Sequence, residues 1–190
     1  DTKEKINDIG VKNSNVKLYE IGTILFSFKL SIGKTAIVGK PLYSNEAIAG
    51  IKSKNPNILD NMYLYYYLST TNFKHMGSGI LGAGSLNKKS LGEIKIPIPS
   101  IEYQKEIVKY LDFIYEKSNK TSNEKIAELK TLNKFCFNNQ KIFGENVIKT
   151  FDKVCKVNQG TYIKPDMKIQ GEYPVYGGGN ISYYINQYNR

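Results

Sequence analysis

Residues 86–112, LNKKSLGEIKIPIPSIEYQKEIVKYLD, pass from a lysine-bearing loop through a short alternating strand and a Pro-x-Pro break into an amphipathic helix. Ile94, Ile96 and Ile98 alternate with Lys95, Pro97 and Pro99. That period of two predicts an edge strand, because proline has no N–H to give to a central ladder. Ser100 stands where a helix N-cap is needed, with Gln104 and Glu106 in the turns that follow. The stretch joins a candidate ligand-reading surface to a candidate docking helix. The fold class it predicts is α+β, with mixed β-rich parts flanking one long helix.

That helix is expected over roughly residues 101–141. Ile107, Leu111 and Ile114 form one apolar stripe, and Ile126, Leu129, Leu132 and Cys136 form another at matching spacing. Residues 118–123 between them are polar, and Thr121-x-x-Glu124 fits a capping box. Two readings follow: a continuous rod of about 60 Å at about 1.5 Å per residue, or a helical hairpin broken near Asn119. No glycine or proline occurs between Ile101 and Phe143, which favours the rod. A stripe this narrow wants a second helix against it, as in a coiled coil.

Upstream, residues 23–28 and 35–38 are β-rich runs around a Gly-containing polar connection, which predicts a hairpin. A further strand is expected at 47–51, after the turn-like residues 41–45. Residues 59–69, LDNMYLYYYLS, predict a buried helix capped by Asn57 or Asp60. Residues 1–20 read as polar and irregular. Downstream of Gly144, residues 147–157 read as a short helix or the start of a strand. β-runs follow at 173–176 and 181–185 in a turn-rich, tyrosine-rich setting.

Several chemistries are disfavoured by what the chain lacks. GSGILGAGSLN, residues 77–87, contains G-x-G-x-x-G at Gly77, Gly79 and Gly82. A dinucleotide site needs a preceding strand, a following helix and an acidic residue about 20 positions on. Here a helix is expected before the motif, a Lys-Lys loop follows, and Pro97 stands where the acid belongs, so no cofactor is expected. A loop whose bare backbone approaches another surface is the better reading. His75 is the single histidine and has no acidic neighbour to orient it, so no catalytic residues are assigned and no enzyme is expected. One histidine and two separated cysteines, Cys136 and Cys155, cannot make a Cys/His metal site. The cysteines read as reduced, buried thiols. No signal peptide or apolar run of membrane-spanning length occurs, so the expectation is a cytoplasmic protein without a membrane partner. A net charge of +10 points to a polyanion as partner, although positive charge also serves solubility.

EIKIPIPSIEYQKEIVKYLD resembles the end of a target-recognition domain and the start of the spacer helix in specificity (S) subunits of Type I restriction–modification systems. Gln104, Ile107, Val108, Leu111 and Asp112 fall on that pattern's positions. GTILFSFKLSIGKTAIV is similar to the family's strand–Gly–strand segment, NEAIAGIKSKN looks like its next strand, and GEYPVYGGGNISYYINQYN resembles the Gly-rich opening of a recognition domain. Together these stretches cover most of the chain.

The resemblance implies a non-catalytic DNA-recognition subunit that positions methyltransferase (modification) subunits, and through the complex a restriction subunit, on double-stranded DNA. Such subunits carry two recognition domains separated by two antiparallel spacer helices. The expected organisation is therefore the later part of one target-recognition domain (1–100), a spacer helix (101–143) and the opening part of a second domain (144–190), as in a fragment or a permuted half-subunit. Two chains packed antiparallel would complete each domain in trans. Lys29, Lys34, Lys88 and Lys89 are assigned to phosphate contact. Ser31, Gly33, Ser85, Asn87, Gln159, Tyr176 and Asn180 are assigned to loops near the bases. Ile107, Leu111, Ile114, Ile126, Leu129, Leu132 and Cys136 are assigned to the helix interface. Two alternatives share the local motifs: the recognition domain of a fused methyltransferase–nuclease, and a helical adaptor that binds no DNA.

Overall fold

The computed structural model describes residues 5–29, 31–73, 86, 88–117, 131, 147–162, 173–176 and 181–185. The chain divides into two compact units. One comprises residues 1–52, 73–88 and 157–190, and the other residues 53–72 and 89–156. The described residues form an α+β structure of short helices and mostly antiparallel strands. Among them no helix is long and apolar enough to cross a membrane.

The first unit opens with β1 (Lys5–Ile6) and α1 (Asp8–Lys12). Residues 1–20, expected to be irregular, hold this helix because Asn7 caps it: its Oδ1 accepts from the Gly10 N–H at 2.6 Å. The predicted hairpin is β2 (Ile24–Ser27) and β3 (Thr35–Ile37), paired antiparallel with Ile24 opposite Ile37 and Phe26 opposite Thr35. β5 (Ile48–Ser53) lies on the other side of β2, with Ile24 opposite Ile51 and Leu25 opposite Gly50. Every residue of β2 is buried, as expected for a strand covered on both faces. On one face Leu25 and Ile48 cluster with Tyr19, Val38 and Leu42. On the other, Phe73 meets Phe26 edge to face, with ring centroids 5.1 Å apart.

Residues 41–45, read from the sequence as a turn, contain a strand. β4 (Tyr43–Ser44) pairs parallel with β9 (Tyr173–Tyr176), which also pairs antiparallel with β1 and with β10 (Ile181–Ile185). A two-residue strand whose partner lies about 130 positions away leaves no local pattern to find. β8 (Cys155–Gln159) is the neighbour of β5 in the β3-β2-β5-β8 sheet.

In the second unit the predicted buried helix is α2 (Asn61–Thr70), capped by Asp60, whose Oδ1 accepts from the Tyr63 N–H at 2.9 Å. α3 (Lys88–Gly92) lies almost wholly in this unit and precedes β6 (Lys95–Ile98), the strand of the IKIPI run. β6 pairs only with β7 (Val147–Thr150) among the described residues, so Pro97 sits in a two-stranded ribbon, as its missing N–H requires. α5 (Phe151–Val154) follows β7 directly and buries Phe151 and Val154. α4 begins at Ile101 and is described to Lys117, with the Tyr103 N–H 3.3 Å from Ser100 Oγ, the predicted cap. Of the rest of the expected long helix only Thr131, which is helical, is described.

Candidate nucleic-acid interface

The β2–β3 connection is a built loop. Gly33 has φ +89°, a left-handed conformation that favours glycine, and its N–H bonds Ser27 O at 2.9 Å. A Cβ there would stand 3.2 Å from the Phe73 ring, so the loop also hugs the core. Lys29 and Ser31 are half-buried, and Lys34 is exposed. The Lys29 ammonium lies 6.0 Å from the Phe28 ring centroid, at the outer limit of a cation–π contact. This arrangement presents two cations and a hydroxyl from a fixed backbone.

Residues 44–48 are where the candidate segments of this unit meet. Phe28 N–H bonds Ala47 O at 3.1 Å, just before the lysine loop. Gln159 Nε2 donates to Glu46 O at 3.3 Å, and Tyr176 is registered opposite Ser44. Leu86 N–H bonds Phe28 O at 3.0 Å, which brings the end of the Gly-rich segment to the same loop. Asn45 shapes the turn, its Oδ1 accepting from Ala47 N–H at 3.1 Å. Lys29, Ser31, Gly33, Lys34, Gln159 and Tyr176 thus come from segments joined at this turn. Lys88 opens α3, and Lys89 is exposed in the same helix. Ser85, Asn87, Asn180 and the Gly77–Gly82 loop lie outside the described residues, as does His75.

Tyr19 holds the far side of this turn. Its hydroxyl donates to Asn158 O at 2.8 Å, and its ring lies over Gly50 so closely that a Cβ would come within 2.6 Å of Cδ1. Burial pushes the Tyr19 phenol above its usual range. Sequence reading passed over Tyr19, Gly50 and Gly160. The aromatic–glycine pairing crosses strands, so no spacing rule reveals it.

The helix-interface residues are placed unequally. Ile107 and Leu111 are 5% and 1% exposed within the second unit, on the α4 face that packs on α2. Gln104 is fully buried on that face. Its Oε1 accepts from Asp60 N–H at 2.8 Å, and its Nε2 donates to Ile58 O at 2.8 Å and Pro99 O at 2.9 Å. Tyr66 donates its hydroxyl to Asp112 Oδ1, and burial, followed by this carboxylate, raises the phenol's pKa. The motif residues Gln104, Ile107, Leu111 and Asp112 therefore bolt α4 to α2. Tyr110, Phe113 and Tyr115 are left exposed on α4. Ile114 is helical, while Ile126, Leu129, Leu132 and Cys136 lie outside the described residues. Cys155 is free and buried, and burial pushes its thiol up to about 12.

No group of three or more His, Cys, Asp and Glu that could hold a metal ion occurs among the described residues.

In comparison with known proteins, residues 1–131 match the family described as Type I restriction modification DNA specificity domain. The chain is 34% identical over 110 residues to a putative type I restriction enzyme MjaX specificity subunit of Methanocaldococcus jannaschii, covering 57% of this chain and 25% of that protein. It is 31% identical over 133 residues to the type I restriction enzyme MjaIX specificity subunit of the same organism, covering 66% of this chain and 30% of that protein. The chain thus spans less than a third of the length of either relative.

Proposed function

Because the chain belongs to the Type I restriction–modification DNA specificity family, we propose that it reads a DNA sequence within a specificity subunit. The observation that carries this reading is the convergence of Lys29, Ser31, Gly33, Lys34, Gln159 and Tyr176 on the turn at residues 44–48. The lysines of the hairpin loop supply charge, Ser31 and Gly33 supply hydrogen-bonding groups from the loop, and Gln159 and Tyr176, expected in loops, stand instead at the ends of strands β8 and β9. Ser85, Asn87, Lys88, Lys89 and Asn180 keep their proposed roles as DNA contacts on the strength of the family resemblance alone. The subunit performs no chemistry of its own. It works in the cytoplasm, placing methyltransferase subunits, and through them a restriction subunit, on the chosen duplex. Both relatives are named as specificity subunits, which supports this reading over a helical adaptor.

The test is a salt titration of duplex binding. Replacing Lys29 and Lys34 together by alanine should weaken binding to every sequence alike and flatten the slope of log K against log salt by about 2, near 0.9 per lost phosphate contact. An unchanged slope sinks the assignment of these two lysines.

The second part of the proposal concerns the spacer. β6 and β7 pair with Ile98 opposite Val147, which puts the two ends of the segment 99–146 about 5 Å apart. A rod running from 101 to 143 would separate those ends by about 60 Å within one chain. Either the helix folds back near 118–123, or the rod is continuous and the pairing is exchanged between chains. Two antiparallel rods bring the end of one beside the start of the other, so every pairing made by 147–185 is then satisfied in trans. The unbroken sequence from Ile101 to Phe143 supports this exchange, with Ile114, Ile126, Leu129, Leu132 and Cys136 as the seam. The three domain parts then run 1–100, 101–143 and 144–190. Sedimentation equilibrium should give an antiparallel homodimer at micromolar concentration. A folded monomer there refutes the exchange and leaves the helical hairpin.

A further inference from the structure

A second cationic feature lies in the second unit and takes no part in the surface proposed above. Lys54, Lys149 and Lys153 line one concavity of about 120 Å³, floored by Leu59 and Val154 and edged by Asn55. Three separate elements deliver them: the turn after β5, strand β7 and helix α5. Their positions are fixed by backbone. Lys54 N–H bonds Val154 O at 2.7 Å, and its ammonium donates to Asp152 O at 2.5 Å. Ile58 and Leu59 N–H both bond Asn55 O at 3.0 Å, which closes the rim as a tight turn.

Lys149 stands out by its register. It is opposite Ile96, which is fully buried, so it occupies the ribbon face that packs inward, where an apolar residue would add to the core. Its side chain is half-buried there. An inward charge on an edge strand does discourage edge-to-edge pairing. That role needs one lysine, however, and gives no reason for Lys54 and Lys153 to line the same hollow. The carboxylate of Asp152 is 3.7 Å from the Lys153 ammonium and half-exposed. Lys54 leans on the Asp152 carbonyl and Lys153 on its carboxylate, so three cations share one carboxylate and the concavity keeps a net positive balance that an anion would offset.

We propose that this concavity is a phosphate-contact site for the DNA backbone, separate from the sequence-reading loops. It rests on the reading of the chain as a DNA-recognition protein. Three lysines lining one concavity with Leu59 and Val154 suit a single phosphodiester, as point charges without base discrimination. Leu59 and Val154 line the same concavity, so the lysine stems have apolar surface to cover while their heads stay available to an anion. The contact would hold the duplex backbone without choosing its sequence.

The experiment uses the full chain and a mixed-sequence duplex of about 40 base pairs, so that non-specific electrostatic binding is read directly. Lys149→Gln combined with Lys153→Gln should lower affinity about tenfold at moderate salt and flatten the log–log salt slope by between about 1 and 2. Lys149→Arg with Lys153→Arg should restore the slope, because charge and not shape makes the contact. Thermal melts of both variants check that the fold is intact. If the wild type binds with a steep salt slope and the glutamine variant keeps it, this site is overturned while the recognition reading stands. If the wild type shows no salt-dependent duplex binding, both fail together. A glutamine variant that loses stability without any change in slope also overturns the site, since that marks a structural role.

Discussion

Replacing Gln104 by leucine is expected to lower the melting temperature by about 10 °C, corresponding to about 3 kcal/mol for a chain of this size. Leucine fills nearly the same volume, so the loss comes from hydrogen bonds and not from a cavity. The fully buried amide of Gln104 is shared between the Asp60 N–H, at the cap of α2, and two carbonyls, Ile58 O and Pro99 O. Without it those three backbone groups lose their partner at once, and each costs about 1–3 kcal/mol where water does not reach it. Gln104→Glu keeps the acceptor for Asp60 N–H but turns a carboxylate towards two carbonyl oxygens. That charged form is disfavoured, which raises the folded-state pKa of the introduced acid above its unfolded value. Stability contributed by such a group is present at low pH and lost as pH rises through the folded pKa. The gap between Gln104→Glu and wild type should therefore narrow as the pH is lowered towards about 5. Differential scanning calorimetry of the three proteins decides it. A leucine variant melting with the wild type would show that α4 does not depend on this bolt.

The same residues show what the sequence made legible and what it concealed. The IKIPIPS run announced an edge strand followed by a capped helix, and both are present, because proline exclusion and N-capping act within a few residues. The β2–β3 hairpin, β5, α2 with its Asp60 cap, and the two late β-runs were readable for the same reason. β4 was not, since its pairing partner is distant and its two residues carry no period. Of the apolar stripe expected on α4, Ile107 and Leu111 are buried, but a stripe does not name what covers it. Ile107 and Leu111 are already covered within the second unit, whereas the exposed aromatic residues Tyr110 and Phe113 fell outside the expected seam. The chain's 15 tyrosines do not declare their use by composition. In α2 two tyrosines spend their hydroxyls on backbone, buried Tyr63 donating to Pro97 O at 2.8 Å and half-buried Tyr67 to Lys95 O at 2.7 Å. These bonds cap the edge of β6 that β7 leaves open, a use of tyrosine that composition cannot disclose. Of the candidate site, the lysine loop was visible as a Gly-containing polar connection. Its junction with Gln159 and Tyr176 was visible only through the resemblance, because contacts at that sequence separation leave no local trace.

Replacing Gly160 by alanine is expected to detach the segment 157–162 from the first unit, at a cost of about 3 kcal/mol or more. A Cβ at this position would overlap the Asn45 carbonyl and stand 2.6 Å from Ser44 Oγ. The obstacle is backbone on one side and a buried side chain on the other, so neither can swing away cheaply. The neighbours make the cost cooperative. Residues 158–161 are each tied across to the earlier part of the unit: Asn158 O to the Tyr19 hydroxyl, Gln159 to Glu46 O, Gly160 N–H to Ile48 O at 2.9 Å, and Thr161 Oγ1 to Asn15 O at 3.0 Å. Displacing Gly160 pulls on all of them. The form of the loss also separates the two spacer arrangements. In a monomer with a folded-back helix, Gly160→Ala lowers the melting temperature by an amount independent of protein concentration. Where the segment comes from a second chain, the same substitution weakens association, so the variant melts at a temperature that rises with concentration and dissociates on dilution. Melting curves over a hundredfold concentration range, read beside sedimentation, distinguish these outcomes. An alanine variant as stable as wild type at every concentration would show that the segment is not seated against residues 44–48.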